Sequence, residues 1–277
     1  MHAIIREFIF LTAGFPHGAY QSQGFDRPEL RGPSVKGQLR WWFDALFGNS
    51  AAEDKLFGGL KNKRAGEGPG PESSRVIVRV SSADQVDPEP TDYMPHSRQK
   101  NSKKNAIAPG TRYKICLSSR RGILEEGERM RLECVLDAWL LAGAVGQRAN
   151  RAAGSLWPDN APATEQAYLE RTTALLKGSK LRCAVLPSVF EDERALRLMA
   201  GDLIEGTQSW WPFGSAEPRK PSTLKFRAAR LDGRLRLVAV WDGRYQASDN
   251  LRRGIEELAK SKPLGRFLKQ VEQQLYS

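Results

Sequence analysis

The chain has 277 residues, 40% of them hydrophobic and 27% charged, a composition typical of a folded, soluble protein and not of a wholly disordered one. It carries 43 lysines and arginines against 32 aspartates and glutamates, and the resulting net charge of +11 favours a polyanionic partner. No apolar run reaches the ~18 residues of a membrane span, and three widely spaced cysteines fit neither a disulfide framework nor a paired-cysteine metal site, so we expect a cytoplasmic protein.

The first predicted element is a strand from Ile4 to Leu11, rich in Ile and Phe. A glycine-containing loop, Ala13 to Gly32, follows it. A helix is predicted from Pro33 to Gly48, because proline is tolerated in a first helical turn and four apolar residues recur at helical spacing. This apolar stripe consists of Val35, Leu39, Trp42 and Leu46.

Two strands are predicted in the middle of the chain. Residues 61–74 are rich in Gly, Pro and charge and predict an exposed loop, after which alternating valines predict a strand from Arg75 to Ser81. A second strand is predicted from Thr111 to Ser118. Residues 84–109 between them are polar, basic and too long for an ordinary connector, which indicates a functional or disordered loop.

A strongly amphipathic helix follows, with Leu132, Leu136 and Trp139 on one face, and we expect Gly146 to end it. Residues 151–157 predict a short strand. The order strand, helix, strand, strand, helix, strand is that of a ferredoxin-like domain.

The sequence of the second half predicts a second ferredoxin-like unit whose edges are altered. Its clearest feature is a hairpin around Asp232-Gly233. The predicted elements are a helix at 163–177, a strand at 182–189, a helix at 191–204, strands at 224–231 and 234–241, and helices at 249–260 and 263–275. We therefore predict an α+β fold of two ferredoxin-like (RRM-like) domains in tandem, covering residues 1–160, with the basic loop 84–109, and residues 161–277.

The start of the first helix carries the densest candidate site. Its first turn leaves backbone N–H groups unpaired at the positive end of the helix dipole, and Ser34 adds a hydroxyl donor. Lys36 and Arg40 lie four residues apart, away from the apolar stripe, so the arrangement favours a bound phosphate. Gly37 costs about 1 kcal/mol against alanine within a helix, which indicates close approach by another chain. The alternative is a well-capped amphipathic helix with a basic solvent face.

The residues from Pro28 to Leu46 closely resemble the first helix of RAMP (repeat-associated mysterious) proteins, most of all those that form the first subunit of Cmr-type, type III-B, CRISPR effector complexes. Residues 56–59, 109–111 and 146–156 are similar to further features of that family. The resemblance covers roughly the first 160 residues. The last segment departs from its relatives, which often carry Arg, Gly or Phe at the positions of Ala149, Ala152 and Ala153.

The resemblance implies an RNA-binding subunit without catalytic activity. RAMP subunits hold CRISPR RNA with tandem ferredoxin-like domains, and the family's first subunit lies toward the 3′ end of the guide, near the entry of target RNA. The implied partners are the CRISPR RNA guide, target RNA and other RAMP subunits in a prokaryotic cytoplasm, with no cofactor, metal or membrane. Lys and Arg bind phosphates without reading sequence, as suits a subunit that accepts any guide.

Three segments supply the predicted RNA contacts. Besides the helix start, these are the basic stretch Arg98 to Lys104, which resembles a thumb-like RAMP loop, and the loop from Gly146 to Gly154. The alternative for the stretch Arg98 to Lys104 is a solvated disordered loop. The alternative for the segment Gly146 to Gly154 is a glycine-closed helix with two solvated arginines. The candidate RNA-binding residues are Arg31, Ser34, Lys36, Gly37, Arg40, Trp41, Arg98, Lys100, Lys103, Lys104, Gln147, Arg148 and Arg151.

Aromatic residues are more ambiguous. Trp41 lies off the apolar stripe, so it either stacks on a base or packs against the second domain. For Trp210 and Trp211 we favour a domain or subunit interface over RNA stacking, because interface cores are enriched in aromatic residues.

An enzyme is the second class of function. The chain has three histidines and lacks the familiar hydrolase, phosphate-loop and metalloprotease motifs. The enzymatic alternative is a metal-independent RAMP endoribonuclease that uses His17 as a general base, or Asp26, which is loosely placed like the target-cutting aspartate of backbone RAMP subunits. A third alternative is an assembly protein whose basic surface is incidental.

Overall fold

The structure is a computed structural model that describes residues 3–17, 27–59, 73–83, 87–95, 103–120, 122–205 and 222–245. Most of the predicted loop at 61–74, the Trp210–Trp211 pair and both closing helices lie outside the described residues, as do Asp26, Arg98 and Lys100. The helices are α1 (Gly32–Phe47), α2 (Ser50–Phe57), α3 (Glu126–Ala142), α4 (Glu165–Leu176) and α5 (Glu193–Glu205). The strands are β1 (Ile4–Phe10), β2 (Val76–Ser82), β3 (Glu89–Asp92), β4 (Lys103–Ala106), β5 (Arg112–Ser119), β6 (Leu156–Pro158), β7 (Leu181–Phe190), β8 (Leu224–Leu231) and β9 (Arg234–Asp242).

A four-stranded antiparallel sheet in the order β2-β5-β1-β6 organises the first half of the chain. Alternate residues of β1, including Ile4, Phe8 and Phe10, are buried on the face that meets the helices. On that face Arg6 donates a hydrogen bond to Asp137 of α3 at 2.7 Å. Helices α1 and α3 cover the sheet through their predicted apolar stripes, which are buried. This strand order is that of a ferredoxin-like domain, as the sequence predicted.

The second half contains a three-stranded antiparallel sheet in the order β7-β9-β8, packed against α4 and α5. The predicted hairpin is confirmed, because Asp232 and Gly233 take φ values of 51° and 75° and connect β8 to β9. In this sheet the third strand along the chain lies between the first and the second, as β5 lies between β1 and β2 in the first sheet. The α+β prediction is confirmed; the boundary after residue 160, between β6 and α4, stays a prediction.

Three local predictions are corrected. Residues 84–109 are not a loop throughout, since β3 and β4 pair within them as a short hairpin. Helix α3 ends before Gly143 instead of at Gly146, because the Gly143 N–H donates to the Trp139 carbonyl at 2.7 Å and the backbone then becomes extended. The strand predicted at 151–157 forms only at Leu156–Pro158, since the preceding residues make turns. Helix α2 was not predicted at all.

Within the described part of the chain, no helix is both long and apolar enough to span a membrane.

Candidate nucleic-acid interface

The start of α1 has the open geometry that the sequence predicts. Arg31 precedes the helix in an extended conformation, no side chain caps it, and Pro33 lies in its first turn. No acidic residue occupies that turn, so the partial positive charge of the helix end is not neutralised by the helix itself. Ser34 is partly exposed beside it. Gly32 packs tightly on the sheet, because a Cβ there would lie 2.6 Å from the carbonyl oxygen of Val78.

Lys36 lies among cations. Partial burial lowers the pKa of its ammonium below the ordinary value, and the neighbouring charges of Arg40 and Arg120 lower it further. Arg120 is exposed at the end of β5 and was not singled out from the sequence as a site residue, although it belongs to a stretch without acidic residues. Because the electrostatic neighbours of Lys36 are positive, an anion bound here would relieve their repulsion.

Arg40 has a different role from the one predicted. Its Nε donates to Glu53 at 2.7 Å, one terminal nitrogen donates to Asp54 at 3.2 Å, and the other donates to the Gly58 carbonyl at 2.7 Å. These bonds use all three nitrogens of the guanidinium and fix α2 against α1. The prediction that Arg40 binds phosphate together with Lys36 is therefore replaced by a structural role, since its charge is already paired within the fold.

Gly37 lies exposed on α1, and nothing lies within 4 Å of the position that a Cβ would occupy. Its φ is not in the left-handed region, so an alanine would fit without strain. Packing among the described residues therefore does not explain this glycine, and close approach by another chain stays a prediction.

Trp41 lies against residues of the second sheet, as one of the two predicted alternatives has it. The ammonium of Lys225 on β8 lies 3.8 Å from the centroid of an indole ring, and the guanidinium carbon of Arg244 lies 5.2 Å from it. Arg244 also pairs with Asp44 of α1 and with Asp242. Since cations cover this indole, base stacking by Trp41 is the weaker interpretation.

The loop of residues 146–155 is held in one shape by both halves of the protein. From the first half, the Gln147 N–H donates to the Phe15 carbonyl at 3.0 Å and the hydroxyl of Thr12 donates to the Ala152 carbonyl at 2.6 Å. From the second, the Phe226 carbonyl accepts from the Ala152 N–H at 3.1 Å, and Arg227 donates to the Ala149 carbonyl. The loop is therefore preorganised before any ligand binds.

Small residues in this loop serve the fold itself. Gly146 and Gly154 have positive φ, and a Cβ on either would lie 2.0–2.7 Å from backbone atoms of Phe15 or Val145. Ala152 and Ala153 are fully buried, which explains why this chain carries alanine there. The expectation that these residues let a ribose-phosphate chain approach is thus superseded by an internal packing reason.

The β3-β4 hairpin contacts the 146–155 loop near Gln147 and Arg148. Lys104 of β4 donates a hydrogen bond to the side-chain oxygen of Gln147 at 3.2 Å. Its ammonium lies 4.2 Å from the centroid of the Tyr93 ring, and the guanidinium carbon of Arg148 lies 5.0 Å from that ring. Sequence reasoning missed Tyr93, whose only signal is its position inside the basic segment. Lys103, also predicted, is exposed at the start of β4 and pairs with Asp92 in register.

Residues 14–17 bring the predicted segments together. Gly14 exchanges backbone hydrogen bonds with Ile107 beyond β4, at 2.8 and 3.0 Å, and Phe15 pairs with Gly146 and Gln147. Pro16 accepts a hydrogen bond from the Glu29 N–H at 2.8 Å, and His17 pairs with Pro28, just ahead of α1. The lead-in to α1, the hairpin and the 146–155 loop therefore converge on one short segment. Arg151 lies in the same loop, beside Arg148 and Tyr93.

The chain belongs to the RAMP superfamily, whose family model matches residues 14–157, just over half of its length. That match confirms the family resemblance seen in the sequence, and it covers every segment of the candidate interface.

Two curated relatives are similar in sequence. The CRISPR system Cmr subunit Cmr1-1 of Pyrococcus furiosus is 30% identical over 152 residues, which cover 47% of this chain and 40% of the relative. Subunit Cmr1-2 of the same organism is 41% identical over 66 residues, or 21% of this chain and 30% of the relative. The aligned regions thus span less than half the length of either relative.

Solved structures are similar in fold over nearly the whole chain. The crystal structure of apo Cmr1 from P. furiosus matches with a TM-score of 0.56 and 17% identity, covering 91% of this chain and 92% of that one. A chain in the cryo-EM structure of the type III-B Cmr-β complex bound to cognate target RNA matches with a TM-score of 0.54 and 8% identity, covering 92% and 98%. These likenesses confirm the RAMP architecture.

Proposed function

We propose that this RAMP protein is a non-catalytic, RNA-binding subunit of a type III-B CRISPR ribonucleoprotein. In this role it holds the CRISPR RNA guide toward its 3′ end and helps to admit target RNA. Its further partners are the other RAMP subunits of the effector complex.

The observation that carries the proposal is the convergence of basic segments on residues 14–17. The lead-in to α1, which ends at an uncapped helix start, contacts that segment through Pro28 and Glu29, and the hairpin and loop that also contact it carry Lys104 and Arg148. Lys36 lies further along α1, near Arg120 at the end of β5. Among the described residues, none of these three cations forms an ion pair with a carboxylate. Positive groups that are not neutralised by a carboxylate suit the phosphates of a nucleic acid strand and give binding without sequence preference.

The relatives support RNA and the other subunits of a Cmr complex as partners. Both curated relatives are subunits of a Cmr CRISPR system, and one structural neighbour is part of a complex bound to cognate target RNA. The preorganised 146–155 loop adds a physical reason, because a loop already fixed by internal hydrogen bonds loses little conformational entropy when RNA binds.

A metal-independent endoribonuclease is the second candidate. Asp26 lies outside the described residues, whereas His17 pairs with Pro28 in the segment that joins the two basic regions. This position is the observation that favours the alternative, because an RNA strand bound across that segment would pass close to the imidazole.

A pure assembly protein would instead leave the cations without a ligand.

Salt dependence of RNA binding separates these functions. Three phosphate contacts to single-stranded RNA give a slope of about −2 in log affinity against log salt, or a loss of roughly 20-fold between 50 and 200 mM salt. We expect the full chain to bind mixed-sequence RNA with that dependence and to leave it intact. No binding at 50 mM salt would contradict RNA binding and support the assembly role. Cleavage that His17→Ala abolishes would establish the nuclease instead.

A further inference from the structure

Tyr93 is the aromatic centre of the contact between the hairpin and the 146–155 loop. Cations from two separate elements lie over its ring, the Lys104 ammonium at 4.2 Å and the Arg148 guanidinium carbon at 5.0 Å. Phe15 meets the ring edge-on, with centroids 5.3 Å apart and planes at 88°. One side chain therefore contacts three of the segments that converge on this interface.

Among the residues that the structure describes, neither cation is paired with a carboxylate. Lys104 donates to a neutral amide oxygen of Gln147 at 3.2 Å, and Arg148 donates to the sulfur of Met94. The Nε of Arg148 is buried and has no hydrogen-bond partner among the described atoms. An aromatic ring and neutral acceptors hold a cation in place without neutralising it. Both groups remain able to bind an anion.

Nearby cations of α5 are already neutralised and serve as anchors. Arg194 pairs with Asp92 at 2.8 Å, and Arg197 pairs with Glu193 at 2.6 Å. Arg197 also donates to the Asp92 carbonyl at 2.7 Å, immediately before Tyr93. These bonds attach the hairpin to α5 in the second half of the protein, and they fix the backbone next to Tyr93.

We propose that Lys104 and Arg148, at the contact between the β3-β4 hairpin and the 146–155 loop, bind phosphates of single-stranded RNA, and that Tyr93 is the positioning residue of this site. Arg148 and Arg151 both lie beside Tyr93 at this contact. The ring holds two charges that come from different elements close together, and both bind the backbone of the same RNA strand. The inference rests on the proposed function in one respect, which is that the bound anion is a phosphate of RNA.

The test compares Tyr93→Leu and Tyr93→Phe with the full parent chain. Mixed-sequence single-stranded RNA is titrated at 50 and 200 mM salt, and thermal unfolding is measured in parallel. Because leucine removes the ring without changing net charge, we expect a loss of roughly 3- to 10-fold in affinity at 50 mM salt and a salt slope smaller by about 1. A merely structural role would not change the slope. Phenylalanine keeps the ring, so Tyr93→Phe is expected to bind like the parent.

Several results would overturn the inference. Unchanged affinity and slope in a folded Tyr93→Leu variant would refute it, and so would an equal loss in Tyr93→Phe. If the leucine variant does not fold, Lys104→Gln combined with Arg148→Gln removes the charges with the ring in place and must reduce the salt slope; an unchanged slope refutes the site. Failure of the parent itself to bind RNA would instead contradict the proposed function.

Discussion

Gly37 offers a change that separates stability from RNA binding. The residue lies within α1, its Cβ position is open, and its φ is not in the left-handed region. Gly37→Ala should therefore stabilise the protein by about 1 kcal/mol, the difference in helix propensity between the two residues. For a chain of this size that stabilisation raises the melting temperature by about 2–4 °C.

The same methyl group should weaken RNA binding. If the RNA backbone contacts α1 at this glycine, the added Cβ displaces it and costs roughly 3- to 10-fold in affinity, comparable to one lost hydrogen bond. The assay is a titration of mixed-sequence single-stranded RNA at 50 mM salt, beside thermal unfolding of the same preparation. A variant that is both more stable and less able to bind RNA cannot be explained by damage to the fold.

Gly127 is the matched control. It also lies in a helix, α3, is exposed, and has nothing within 4 Å of its Cβ position. Gly127→Ala should stabilise the protein in the same direction, with a smaller gain because it lies in the first helical turn, and should leave RNA affinity unchanged. Equal RNA affinity of Gly37→Ala and the parent would refute the reasoning that reserves this glycine for a ligand.

Three further changes test other parts of the account. Lys36→Ala should weaken RNA binding and reduce the salt slope by about 1 without destabilising the fold, because the neighbours of Lys36 repel it; Lys177→Ala, at an exposed lysine after α4, should change neither. Arg40→Ala should instead lower the free energy of unfolding by about 1 kcal/mol in urea denaturation, since it removes the partners of Glu53, Asp54 and the Gly58 carbonyl; unchanged stability would contradict its structural role. Burial, with the charges of Arg227 and Arg244, lowers the pKa of Lys225 to about 7, against the opposing effect of Asp242. The unfolded chain therefore binds more protons between pH 7 and about 10, so stability should rise with pH across that window, and Lys225→Met should remove the rise in pH-dependent melts.

Sequence patterns sufficed for the elements whose signals are local. The apolar stripe of α1, Gly48 at its end and the Asp232-Gly233 turn are each encoded within a few residues, and the structure confirms them. Helix α2 escaped prediction because it is short, with Leu56 and Phe57 its only buried residues. Its position depends on Arg40, a contact between residues more than ten positions apart.

The candidate interface was harder to predict because its cations look alike in sequence. Lys36 and Arg40 lie on one helix, yet among the described residues it is Arg40 alone that meets carboxylates, and these come from a helix that the sequence did not reveal. Trp41 was ambiguous for the same reason, since Lys225 covers it from a strand almost two hundred residues away. Tyr93 could not be singled out from sequence because its contacts with Lys104, Arg148 and Phe15 come from separate segments of the chain.

The most direct test is a crosslinking map of the chain bound to single-stranded RNA, with each crosslinked peptide identified by mass spectrometry. We predict crosslinks concentrated in peptides that contain residues 28–42, 93–104 and 146–155. Crosslinks confined to the exposed face of the four-stranded sheet, with these peptides unmodified in a preparation that binds RNA, would contradict this prediction.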